Sequence, residues 1–156
     1  MAQSGENGGK HHAFVRVLLA DDSPSMLQEA RRILEPEFQV VGTVDDGEAV
    51  LEATQTLKPD VLILDISMGV MNGLEAARLL TRIGSKAKIV FLTVHNDQDF
   101  VEEAFSAGAV GYVIKPRLGT DLPIAVREAL MGHTFISPDL IARTRILNRP
   151  AMRVTV

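Results

Sequence analysis

Reactive side chains recur at the ends of apolar runs in this chain. Asp21 and Asp22 follow VRVLLA (15–20), Asp65 follows VLIL (61–64), Thr93 closes AKIVFLT (87–93), and Lys115-Pro116 follows VGYVI (110–114). If these runs are neighbouring strands, roughly 4.8 Å apart, the three carboxylates converge within several ångströms. Two carboxylates about 4 Å apart repel by on the order of 4 kcal/mol at an effective dielectric of about 20. Such a group requires a cation or a proton. Oxygen-only donors favour a hard divalent ion that keeps several waters, so Mg2+ is the natural occupant. Lys115 adds a second positive charge able to hold an anion, and Thr93 offers a hydroxyl donor at the same height. Taken singly, Asp22 reads as a helix-entry cap, Thr93 as a strand-end hydroxyl and Lys115 as a solvated charge. Their coincidence at one edge argues for a site.

The elements that must position these residues are legible between them. Ser23-Pro24 supplies an N-cap and a proline at the first helical position. Met26, Leu27, Ala30, Ile33 and Leu34 then mark an amphipathic helix face. FQVVGTV (38–44) reads as a second strand. Asp45 with Glu48 resembles a capping box, with Asp46 an alternative cap, for a helix through Leu57 that Lys58-Pro59 ends. Asn72 with Glu75 caps the next helix, in which Ala76, Leu79, Leu80 and Ile83 share a face. A helix from about Asp97 to Ala107 points Phe100, Val101, Ala104 and Phe105 inward, and Gly108 ends it. Leu122, Ala125, Val126, Ala129 and Leu130 form the face of a fifth helix. Solid apolar strands alternating with helices predict an α/β protein whose parallel sheet is covered on both sides. Ligands of such a sheet sit beyond the carboxyl ends of its strands.

Bulk properties narrow the class further. The chain has 156 residues, 46% apolar and 23% charged, which suits one globular domain. No apolar run reaches the roughly 18 residues of a membrane span. The absence of cysteine excludes disulfides and thiolate metal sites and fits a cytoplasmic setting. A net charge of −4 argues against direct nucleic-acid binding by the domain. Residues 1–13 are polar and glycine-rich and read as a disordered leader, in which His11 and His12 carry no assigned role. Arg143, Arg145, Arg149 and Arg153 fall after the last acid, Asp139, in a stretch read as linker or tail.

The combination VLLADDSPSM, VLILDISMGVMNGLEA, FLT and GAVGYVIKP resembles the receiver domain of bacterial two-component response regulators. GAVGYVIKP and the later GHTFISP are similar to receivers that precede LuxR-type helix-turn-helix domains. The resemblance covers residues 14–135, with 136–156 left as a short helix, linker or tail. It implies a flavodoxin-like fold: five parallel strands in order 2-1-3-4-5, doubly wound, with five helices. It further implies that Asp65 accepts a phosphoryl group from a histidine kinase or phosphotransfer protein with Mg2+ bound. Asp22, Asp65 and the Ser67 backbone carbonyl would be direct metal ligands, with Asp21 acting through water. Thr93 and Lys115 would hold the phosphoryl oxygens, and Tyr112 would turn in behind Thr93. Lys115-Pro116 would be a cis bond, and a homodimer would form through the switch face. The role implied is a signalling switch and not a metabolic enzyme.

One position departs from the family pattern. The fourth residue after the phosphoacceptor is usually proline, and here it is Gly69. A freer loop predicts weaker Mg2+ binding than in a Gly69→Pro variant. Two other readings compete. A receiver fold acting by protein contacts alone would be marked by loss of Asp65, Lys115 or an acidic-pair residue, none of which is lost. An aspartyl phosphohydrolase would need a second acid two residues after Asp65, where Ser67 stands.

Overall fold

A computed structural model describes residues 15–141. The leader 1–13 and the arginines at 143, 145, 149 and 153 lie outside the described residues. Six parallel strands form one sheet: β1 (Arg16–Ala20), β2 (Gln39–Val44), β3 (Val61–Leu64), β4 (Lys88–Thr93), β5 (Gly111–Ile114) and β6 (Phe135–Ile136). Their order is 2-1-3-4-5-6. The helices are α1 (Pro24–Leu34), α2 (Gly47–Leu57), α3 (Gly73–Arg82), α4 (Gln98–Ser106), α5 (Leu118–Leu130) and the one-turn α6 (Pro138–Ile141). A 3-10 turn, Lys115–Arg117, joins β5 to α5.

The strands read as solid apolar runs because both faces of the sheet are covered. Successive residues of a strand point to opposite sides. Leu18, Ala20, Leu62, Leu64, Phe91 and Tyr112 therefore enter the core shared with Val50 of α2, Leu80 of α3 and Val101 of α4. Val17, Leu19, Ile63, Val90, Leu92 and Val113 enter a second core with Ala30 and Leu34 of α1 and Leu122 and Val126 of α5. Truncating one of these large side chains to alanine costs about 2–5 kcal/mol, so each strand is fixed from above and below.

The helix starts follow the local chemistry. Ser23 accepts a hydrogen bond from the Met26 amide at 3.3 Å, with Pro24 opening α1. Of the two candidate caps for α2, Asp46 is the one used: it accepts from the Ala49 amide at 2.8 Å. Asn72 accepts from the Glu75 amide at 2.9 Å and opens α3.

At the edge of the sheet and at two helix ends the structure differs from the sequence expectation. A sixth strand, β6, extends the sheet beside β5, pairing Phe135 with Gly111 and Ile136 with Tyr112. The boundary placed at residue 135 thus falls inside β6, and Ile136, Ser137 and Leu140 beyond it are buried. Ile83 and Leu130 keep the helical period but are 55% and 39% exposed. Ile83 is the C-cap of α3 and Leu130 the last residue of α5, where the helix has run past the layer it packs on.

Candidate functional site

Parallel register brings the acidic residues together. Ala20 of β1 is opposite Leu64 of β3, so the next residues, Asp21 and Asp65, emerge side by side. The Asp65 amide donates to the Ala20 carbonyl at 3.0 Å, which fixes that juxtaposition. One carboxylate oxygen from each of Asp21, Asp22 and Asp65 lies within 4.8 Å of the others. Asp21 and Asp65 are buried and Asp22 is exposed. Lys115 reaches over from the end of β5, its Nζ 2.8 Å from Asp21 Oδ2 and 3.1 Å from Asp65 Oδ2. Burial works against the Lys115 ammonium, but the two carboxylates outweigh it and raise its pKa above the ordinary lysine value.

Two carboxylates and one ammonium leave the cluster short of positive charge, with Asp22 a third anion. Asp21 Oδ1 accepts from the Ser23 amide at 2.9 Å. Asp21 Oδ2 is buried with the Lys115 ammonium 2.8 Å away as its ion-pair partner. A buried oxygen of that kind, in an all-oxygen donor set, fits a hard divalent cation.

Thr93 ends β4 fully buried, and its Oγ1 accepts from the His95 amide at 3.3 Å. Tyr112 of β5 is also fully buried, and its hydroxyl donates to the His95 carbonyl at 2.7 Å. Burial raises the Tyr112 pKa, and the charges of Asp65 and Asp97 raise it further. The His95 ring lies 4.3 Å from that of Phe100 in α4, and Nε2 is 2.9 Å from Ser67 Oγ. Sequence reasoning passed over His95. It stands in a loop with no periodic signal, yet side chains from the β3–α3 loop, α4 and β5 all meet it.

The loop after Asp65 is held at its base and free at its tip. The Gly73 amide donates to the Ile66 carbonyl at 2.7 Å. A Cβ at Gly73 would lie 1.9 Å from the Asp65 carbonyl oxygen, so only glycine permits this approach. Ile66 and Met68 are buried, whereas Ser67, Gly69 and Val70 are exposed. Gly69 has φ of 51°, in the left-handed region. Proline is locked near −65° and cannot occupy that conformation. The structure gives proline no place at this tip, so the tighter metal binding expected of Gly69→Pro loses its premise.

The expected cis bond is corrected as well: no peptide bond among the described residues is cis. Ile114 is extended at ψ of 139°, and a trans Lys115-Pro116 enters the 3-10 turn directly. From there the lysine already reaches both carboxylates, so a cis bond is not needed to aim it.

A flavodoxin-like parallel sheet with an acidic cluster and a lysine at the carboxyl edge defines the class of fold and site. The sequence profile of the response regulator receiver domain matches residues 17–127. The chain belongs to that family. It is 34% identical over 126 residues to the transcriptional regulatory protein DegU of Brevibacillus brevis, covering 80% of this chain and 53% of that protein. It therefore spans about half the length of this curated relative. A LuxR-family two-component response regulator from Aurantimonas sp. SI85-9A1 superposes with a TM-score of 0.79 at 30% identity, over 83% of this chain and 94% of that one. The isolated receiver of RcsB from Salmonella enterica serovar Typhimurium, solved with phosphomimetic BeF3-, gives 0.77 at 27% identity, over 84% and 99%.

Proposed function

We propose that the domain is a phosphorylation-dependent switch in which Asp65 accepts a phosphoryl group from a phosphohistidine of a histidine kinase or phosphotransfer protein. The observation that supports this most is the convergence of Asp21, Asp22 and Asp65 with Lys115 at one strand edge. One carboxylate oxygen of Asp65 attacks: its new bond to phosphorus forms as the phosphorus–nitrogen bond breaks, and the departing histidine nitrogen takes the electron pair. Asp22, Asp65 and the Ser67 carbonyl, with Asp21 through water, would hold Mg2+, which would supply charge neutralisation and alignment at the transferring group.

The remaining work belongs to protein groups. Lys115 offsets charge on a phosphoryl oxygen once Asp65 no longer carries its own full charge. The Thr93 hydroxyl uses its acceptor side on the His95 amide, which leaves its proton for a phosphoryl oxygen. Drawing Thr93 inward moves His95, whose carbonyl holds the Tyr112 hydroxyl, so the event is passed to β5 and α4. That face is where a homodimer would form and where a transcriptional output of the kind named for the relatives would be addressed. No described helix is long and apolar enough to cross a membrane.

Incubation with a small-molecule phosphodonor and Mg2+ tests the assignment. Wild type should be labelled and Asp65→Asn should not, the residual being at least about a hundredfold lower where the nucleophile is removed. Undiminished labelling of Asp65→Asn overturns it.

A further inference from the structure

A second polar cluster lies on the far side of the Lys115 turn. Asp121 sits in the first turn of α5, where an acid would ordinarily be a solvated helix-start charge, yet it is 1% exposed. Its Oδ2 accepts from Ser137 Oγ at 2.8 Å and from Arg117 Nε at 3.1 Å, and its Oδ1 accepts from an Arg117 terminal nitrogen at 3.1 Å. Ser137, fully buried just after β6, in turn accepts from the Ile114 amide at 3.2 Å. Asp121 and Ser137 thus grip Ile114 and Arg117, the residues on either side of Lys115-Pro116. Pro116 has no amide proton to stiffen this turn from within.

We infer that Asp121 is a positioning residue for the phosphoryl site, holding Lys115 against Asp21 and Asp65 by clamping both flanks of its turn through Arg117 and Ser137. The inference builds on the proposed function but makes a claim of its own about metal binding. Lys115 pairs with one oxygen of Asp21 and one of Asp65, two of the three carboxylates grouped closely enough to hold a cation. A loosened lysine competes less for them, so the metal binds more tightly. The same looseness removes a preset charge from the transferring phosphoryl group, so phosphorylation slows. Simple loss of packing would weaken both together. Opposite signs are the mark of a positioning role.

The test uses the full chain in three forms: wild type, Asp121→Asn and Ser137→Ala. Mg2+ affinity is titrated without phosphodonor, and the rate of labelling by a small phosphodonor is measured at saturating Mg2+. Asp121→Asn keeps the shape of the side chain and removes its charge. It should slow labelling about tenfold, in the range that small misplacements of an aligned group produce. It should also tighten Mg2+ binding about threefold, as expected when a competing cation is withdrawn. Ser137→Ala leaves the Arg117 pair in place and should move both quantities the same way by less. If Asp121→Asn loses its cooperative thermal transition, Ser137→Ala decides alone. Parallel weakening, or no change in either quantity, overturns the inference. If wild type takes no label while Mg2+ affinity still rises in Asp121→Asn, the phosphoacceptor assignment falls, a role in phosphoryl transfer falls with it, and what stands is the hold of Asp121 on Lys115 against the two carboxylates.

Discussion

Two of the loops that bring reactive groups to the strand edge are held by different physics. The β3–α3 loop is set by space: Gly73 presses its backbone against the carbonyl of Asp65 itself. The β5–α5 turn is set by charge, through the buried Asp121 and its Arg117 and Ser137 partners. A contact set by exclusion is fixed in place but indifferent to what binds nearby. A contact set by charge responds to every ion that enters the site. Asp65, the proposed nucleophile, is thus carried on the rigid mount and the lysine on the responsive one.

The comparison breaks most severely at Gly73. Gly73→Ala forces a carbon into the Asp65 backbone and should destabilise the domain by about 3 kcal/mol or more, as overpacking into immovable backbone does. Chemical denaturation measures this, and a loss under about 1 kcal/mol would show the loop base to be softer than a steric mount. Gly69→Pro comes next. The ring cannot take the left-handed φ, so this change should cost more than about 1 kcal/mol and weaken Mg2+ binding. Tighter binding in Gly69→Pro would mean that the loop tip rebuilds freely around the ion.

The smallest effect is alkaline. The folded-state pKa values of Lys115 and Tyr112 are both raised above their ordinary values of 10.5 and 10.0. Their contributions to stability are complete below those ordinary values and are lost as pH rises toward the raised ones. Stability should therefore fall above about pH 10, with one proton's worth from Tyr112, at most about 1.4 kcal/mol per pH unit. Tyr112→Phe should flatten that slope. A slope unchanged in the Phe variant would place the alkaline loss elsewhere.

The same contrast explains what the sequence made legible. The strand-end acids, Thr93 and Lys115 were readable because each directly follows an apolar run, and the parallel register then fixes who meets whom. Ser23 and Asn72 were readable as caps because capping is a contact three residues long. The capping-box pattern put Asp45 first, and the structure uses the alternative, Asp46, whose extended backbone lets its carboxylate accept from the Ala49 amide. Asp121 and Ser137 were not readable, since a pair 16 residues apart gains its meaning only when β6 docks on β5. Ile83 and Leu130 satisfied the helical period, but a period cannot say where a helix outruns its partner layer.

The chain contains one tyrosine and no tryptophan. That tyrosine is Tyr112, buried and hydrogen-bonded to the carbonyl of the residue two beyond Thr93. Beyond the phenylalanine band, the near-ultraviolet absorbance and emission of the unlabelled protein therefore come from a single ring whose hydroxyl sits next to the proposed switch. The domain carries its own optical probe of any movement at His95, and no dye need be attached to read it.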